Sequence, residues 1–183
     1  DVYKRQVLSS FNSTGGTLIT KEESSLESAV ISGITCTNDD SKLILRDVPD
    51  TPGIAAKILS PISEAGIDID VIVQNVGSDK LTDFTFTVKN DHSDKAAEIL
   101  KNLVKTLGGG EIELVKDISK VSIVGVGMKS HAGVAAQMFK ALAEKQINID
   151  MISTSEIKIS VVVSKDKSEA AVIALHDEFG LDK

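Results

Sequence analysis

Two short junctions, eighty residues apart, carry the residues best suited to hold a small ligand: Asp50-Thr51-Pro52-Gly53 and Ser130-His131-Ala132-Gly133. Each follows a strand-like apolar run and opens a helical pattern. A helix start offers unpaired backbone N–H groups and partial positive charge, which suit a carboxylate. A glycine there lets a ligand approach the backbone closely, and the Asp50 carboxylate can receive an ammonium group. Such a junction can hold a free amino acid by its zwitterionic head. Helix capping accounts for Asp50, Thr51 and Pro52 equally well; the duplication in register is what favours a ligand. Gln74-Asn75 ends a later strand, and Thr154-Ser155-Glu156 follows the matching strand eighty residues on. Amides and hydroxyls of this kind can read a small polar side chain, although ordinary turn polarity explains them as readily.

Catalytic chemistry finds less support. Gly125-Val126-Gly127 begins like a dinucleotide fingerprint, but Ser130 stands where the third glycine belongs. Met128-Lys129-Ser130 lacks the glycine that precedes the lysine of a phosphate loop. Both read as a tight strand-to-helix turn. His92, His131 and His176 lie on separate segments without metal-ligand spacing, and His131 reads as an exposed loop histidine. Cys36 falls on a strand-like run and reads as a buried, inert thiol. As the single cysteine it forms no internal disulfide and fits a reducing cytoplasm. No catalytic residue, metal ligand or cofactor site is therefore expected. Aromatics are 3% of the chain, with no Trp, and the net charge is −7, which argues against nucleic acid as a partner. No apolar run approaches the roughly 20 residues of a membrane span.

The elements that position these residues form a repeat. Shifted by eighty positions, Gly53–Ile72 lies over Gly133–Ile152 without a gap. Gly53, Ala55, Ala56, Glu64, Ile67, Ile69, Asp70 and Ile72 meet identical residues at Gly133, Ala135, Ala136, Glu144, Ile147, Ile149, Asp150 and Ile152. The first copy reads as a strand Leu43–Val48 ended by Pro49 and a helix with Asp50 or Thr51 as cap and Pro52 at its first position. That helix places Ala55, Ile58, Leu59 and Ile62 on one face, meets Pro61, which should kink or shorten it, and stops at Gly66. A strand follows in which Ile67, Ile69, Val71 and Val73 share one apolar face. A turn at Gly77–Lys80, a strand Leu81–Val88, a helix Lys95–Leu107 stopped by Gly108–Gly110, and a strand Ile112–Val115 complete it. The order is βαββαβ, an α+β ferredoxin-like unit.

The second copy runs Val121–Val126, helix Val134–Lys145, strands Asn148–Ser153 and Ile157–Val163, and helix Ser168–Phe179, and lacks its closing strand. The unused run Ile31–Cys36 fills that vacancy if the first unit is inserted into the second. Residues 7–41 then act as linker plus that strand, 42–118 as the first unit and 119–183 as the second. Asp1–Gln6 can be encoded by the mosaic-end adaptor of transposon-based sequencing libraries, or they form a short native strand.

The run Gly53-Ile54-Ala55-Ala56 through Ile67-Asp68-Ile69-Asp70 to Gln74-Asn75-Val76 resembles the first ACT domain of aspartate kinases. Val121 to Met128 and Ile152 to Ile157 resemble the second, and Ser9-Ser10-Phe11 with Gly16-Thr17-Leu18-Ile19 resemble the segment joining kinase and regulatory regions. The resemblance covers nearly everything from Val7 onward. It implies feedback control of lysine and threonine biosynthesis in the cytoplasm. Full-length members phosphorylate the β-carboxylate of aspartate with ATP, and their tandem ACT domains bind lysine, threonine or both where two regulatory regions pair as a dimer. Motif by motif, it carries effector contacts onto Asp50, Gly53, Ile54, Ala55 and Gln74 of the first unit. In the second it carries them onto Ser130, His131, Ala132, Gly133, Val134, Asn148, Ile149, Ser155 and Glu156. Ala132 replaces the usual proline of its loop. The kinase's phosphate- and aspartate-binding segments are absent, so its partners would be the free amino acid, a second copy, and a kinase catalytic domain or subunit. The chain would be a separate regulatory subunit or a truncated enzyme, and the adaptor-like start favours truncation. A stand-alone ACT-type sensor serving another enzyme or a transcription factor is the competing class. An RNA-binding sheet would need exposed aromatics and basic character, and both are lacking.

Overall fold

The computed structural model describes residues 5–7, 17–19, 31–77, 80–107, 110–125 and 133–181. Two short strands, β1 (Arg5–Val7) and β2 (Thr17–Ile19), pair antiparallel, with Gln6 opposite Leu18. After β3 (Gly33–Thr37), the first unit runs β4 (Asp40–Pro49), α1 (Ile54–Glu64), β5 (Ile69–Val76), β6 (Leu81–Lys89), α2 (Ser93–Leu107) and β7 (Glu111–Val115). Its strands lie in the order β5-β6-β4-β7, every neighbouring pair antiparallel. Alternation in β4 and β6 sends Leu43, Leu45, Phe84 and Phe86 to the helix-covered face, where they pack with Ile58 and Ile62 of α1 and Leu100 of α2. Phe84 and Phe86 meet edge to face, centroids 6.3 Å apart.

The second unit runs β8 (Ile118–Val124), α3 (Val134–Glu144), β9 (Met151–Thr154), β10 (Lys158–Ser164) and α4 (Ser168–Phe179). Its sheet order is β3-β8-β10-β9. β3 lies antiparallel to β8, Ile34 opposite Ile123 and Cys36 opposite Val121, and Ile31 is buried in this unit's core. The fold is therefore α+β, two ferredoxin-like units with the first inserted between the edge strand and first strand of the second. Among the described residues no helix is long and apolar enough to cross a membrane.

Four local readings of the sequence change. The N-cap of α1 is Gly53, at φ +88°, without a side-chain cap bond; Asp50, Thr51 and Pro52 form the preceding turn, in which the Thr51 carbonyl accepts from Ile54 N–H at 3.1 Å. Pro61 does not end the helix, because Ile58 and Ile62 on either side of it are both fully buried and hold the last turn against the core. In β5 the apolar residues do not share a face. A register shift between Ile69 and Ile72 leaves Ile69 in the first core while Val71 and Val73 point away from it. Thr87 Oγ1 accepts the displaced Val71 N–H at 3.1 Å, replacing the ladder bond that a bulge interrupts. Cys36 is exposed, not buried, since β3 is an edge strand.

The open faces of the two sheets meet at a small apolar seam of Val71, Ile118, Met151 and Val162, flanked by Val73 and Val115.

Candidate functional site

At one end of the first sheet, four segments converge: the end of β4, the start of α1, the end of β5 and the start of β6. Pro49 lies opposite Leu81 and Gln74 opposite Phe84, and Asp50 N–H donates to the Lys80 carbonyl at 2.8 Å. Directly opposed residues point to the same side of a sheet, so Gln74 shares the helix side with Phe84. Asp50, Gly53 and Gln74 are all exposed at this end. Ile54 buries its side chain and spends its N–H on Thr51, so the N–H groups of Ala55 and Ala56 are the first-turn donors that a helix start leaves without an intrahelical acceptor. Ala55 packs partly against the core. The left-handed φ of Gly53 is the reason for glycine: a Cβ built there meets nothing within 4 Å, so the space above it is open. Gly133 repeats this with φ +102° and the same open space.

The second group of candidates does not converge. Gly133, Val134, Ser155 and Glu156 lie at one end of their sheet: Val124 is opposite Lys158 and Ile159 opposite Thr154, and Ser155 closes the β9–β10 turn on the Lys158 carbonyl, N–H at 2.8 Å. Val134 is buried and serves the core. Asn148 and Ile149 lie beyond the other end of β9, because the strand begins only at Met151. Ser130, His131 and Ala132 lie outside the described residues.

Asn148 and Ile149 instead line a cleft of about 610 Å³ against the open face of the first sheet, with Lys42, Arg46, Asn75 and Glu113 on the far wall. Its charges are paired internally. Arg46 Nη2 donates to Glu113 Oε2 at 2.8 Å, and Glu113 raises the guanidinium's affinity for its proton further. Lys42 Nζ donates to Asp150 Oδ2 at 2.9 Å, and Asn148 Nδ2 to Asp150 Oδ1 at 3.4 Å. Beside this cleft, Asp40 is 3% exposed and accepts from Lys89 Nζ and Thr37 Oγ1, both at 2.9 Å, with Lys120 Nζ at 3.4 Å. Burial opposes ionisation of Asp40, but those hydrogen bonds and the Lys120 charge outweigh it, so the carboxyl titrates below its ordinary value.

None of this seam was visible as a motif, yet a signal existed. Asp70 and Asp150 are identical repeat partners, and Ser41-Lys42 recurs as Ser119-Lys120. Cys36 donates to Asn38 Oδ1 at 3.3 Å, and partial desolvation holds its thiol above the usual value. His92 is half-buried beside Asp91, 3.5 Å away, and His176 is on α4.

Family models for the ACT domain match residues 43–105 and 121–179. An aspartate kinase of Pseudomonas fluorescens is 57% identical over 178 residues, covering 97% of this chain and 43% of its own length. The chain thus spans less than half the length of the curated relatives it matches. The ligand-free regulatory subunit of aspartate kinase from Thermus thermophilus superposes with a TM-score of 0.78 at 42% identity, over 82% of this chain and 99% of that one. The aspartate kinase of Synechocystis gives 0.78 at 41% identity, over 83% and 27%.

Proposed function

The chain belongs to the aspartate kinases as their tandem-ACT regulatory region, and on that premise we propose that it senses lysine, threonine or both. Bound effector would feed back onto ATP-dependent phosphorylation of the aspartate β-carboxylate by a kinase domain or subunit, in the cytoplasm. One observation carries the reading: a left-handed glycine with open space above it starts the first helix of both units, and in the first unit it shares a sheet end with the exposed Asp50 and Gln74. The first-turn N–H groups would hold the effector carboxylate, Asp50 its ammonium, and Gln74 its side-chain polar atom.

Asn148 and Ile149 lie across β9 from the second junction, so they would complete a site belonging to another unit or another copy. Pairing of copies has a candidate surface. Ile72 of β5 and Ile152 of β9 occupy equivalent positions on edge strands and are 49% and 46% exposed, and an exposed apolar edge favours a partner. The proposed assembly is a homodimer through the ACT units, with Ser130, His131 and Ala132 contributing from the second loop. Titration calorimetry with lysine and with threonine, alongside sedimentation, tests it. The expected outcome is heat of binding for at least one of the two and a dimer that Ile72→Asp with Ile152→Asp weakens. Absence of heat with both, or a monomer at every concentration, refutes the reading.

A further inference from the structure

The strand ladders align the two units more finely than the sequence repeat does. Ile44 lies opposite Thr85, which lies opposite Val73; Ser122 lies opposite Ser160, which lies opposite Ser153. Since Val73 and Ser153 are repeat partners, Ile44 corresponds to Ser122, and Lys42 therefore to Lys120. Both lysines reach across the seam. Lys42 of the first unit meets Asp150 of the second, and Lys120 of the second meets Asp70 of the first. Because Asp70 and Asp150 are also partners, the two ion pairs are exchanged by an approximate twofold relating the units.

Their surroundings break that symmetry. Lys120, 14% exposed, also faces the buried Asp40. The position corresponding to Asp40 beside Lys42 is Ile118, part of the apolar seam, so among the described residues Asp150 is the counter-charge of Lys42. Its side chain is only 10% exposed, and a lysine this desolvated is costly to leave unpaired. Asp150 is thereby pinned from the first unit, with its backbone N–H on the Val162 carbonyl at 2.8 Å. Its second carboxylate oxygen receives the amide of the exposed Asn148.

We propose that Lys42 is a cross-unit positioning residue: acting through Asp150, it orients the Asn148 amide for the effector, while Lys120 chiefly joins the two units. This rests on the reading of Asn148 as an effector contact. Without Lys42, Asp150 loses its anchor and Asn148 must be ordered anew by each binding event, so affinity falls. Without Lys120, the Asp40 carboxylate loses one of its cations and the fold weakens, but Asn148 keeps its acceptor.

The full chain, with lysine and threonine as separate probes, is titrated calorimetrically, melted, and followed by hydrogen–deuterium exchange over residues 147–151. Lys42→Met is expected to weaken binding by about tenfold, the loss that goes with one charge-linked hydrogen bond, and to speed exchange at 147–151. Lys42→Arg should restore most of both. Lys120→Met should show the larger fall in melting temperature with affinity and exchange at 147–151 near those of the parent. Unchanged affinity in Lys42→Met, or an equal affinity loss in both methionine variants, overturns the proposal, since a merely structural pair would not separate the readouts. If the parent binds neither amino acid, the effector reading fails by itself. Exchange then still decides: faster exchange confined to 147–151 in Lys42→Met supports the anchor, and unchanged exchange overturns it.

Discussion

Placing the effector carboxylate above Gly53 has a consequence that a matched pair of substitutions isolates. Gly53 and Gly66 both take left-handed φ, +88° and +72°, at the start and just past the end of α1, and a Cβ at either meets nothing within 4 Å. Gly53→Ala and Gly66→Ala therefore carry the same kind of penalty, about 1–2 kcal/mol for a side chain in the left-handed region. In a chain of this size each kcal/mol shifts the midpoint by roughly 2–4 °C, so both variants should melt roughly 2–8 °C below the parent. Only at Gly53 does the new methyl group occupy the space through which a ligand would reach the Ala55 and Ala56 N–H groups. Losing a hydrogen bond to a charged group costs about 1.5–3 kcal/mol, or roughly ten- to a hundredfold in affinity. Calorimetric titration should thus find Gly53→Ala binding at least about tenfold more weakly, with Gly66→Ala binding as the parent does. Gln74→Ala, at an exposed side chain, should leave the melting point within the range of ordinary surface changes, about 0.5 kcal/mol, and still lose binding. Couplings between allosteric sites are of similar size, ~1–3 kcal/mol, so in an intact kinase either loss would relieve inhibition. Equal affinities for Gly53→Ala and Gly66→Ala would refute the placement.

Three other outcomes follow from the geometry. Gln146 occupies at φ +55° the left-handed position that Gly66 fills in the first unit, with the same bonds around it: Ile147 N–H to Leu142 and Ile67 N–H to Ile62. Gln146→Gly should raise the melting point by roughly 2–4 °C, as relief of about 1 kcal/mol predicts. Asp40 is held below its ordinary value when folded, so its contribution is present above the unfolded value of ~3.9 and is lost as pH falls through the lower folded value. Asp40→Asn should therefore cost about 1–3 kcal/mol at neutral pH, and denaturation curves of variant and parent should converge in strong acid. Removing residues 1–38 takes β3 from β8 and Ile31 from the second core; thermal melting should show the second unit destabilised, and an unchanged transition would count against β3 as its closing strand.

How much of this could be read in the residues depends on the range of the interaction that decides each feature. The duplication was legible because eight identities fall in register, and the ferredoxin-like order because helix and strand periods differ. The vacancy in the second sheet was legible as an arithmetic fact, one strand too few behind and one too many in front. The bulge in β5 was not, because Ile67, Ile69, Val71 and Val73 alternate as they would in an unbroken strand; only the need of the Val71 N–H for Thr87, a residue of the next strand, marks it. Cys36 read as buried because it falls on a strand, whereas its exposure follows from β3 lying at a sheet edge.

The site divides along the same line. The first junction was legible because Asp50, Gly53 and the start of α1 are local, and Gln74 returns to the same sheet end through one helix-to-strand return, α1 followed by β5. Asn148 and Ile149 read as the start of a strand, but they precede it. β9 begins at Met151, three residues later than the alternation suggests; Ile149 still packs partly against the second core, and the segment lines the cleft facing the other unit. Across that cleft Asp150 meets Lys42, more than a hundred residues earlier. A lysine in the middle of Ser41-Lys42-Leu43-Ile44-Leu45 looks like the solvent side of a half-buried strand. It is mostly desolvated because a second sheet covers that side, and a buried ammonium must have a carboxylate. The insertion of one unit into the other makes this possible: β3 and β8, which bracket the first unit in sequence, are hydrogen-bonded neighbours. The seam is thus closed by the chain's own threading, and Lys42 and Lys120 can each rely on an acid from the opposite unit.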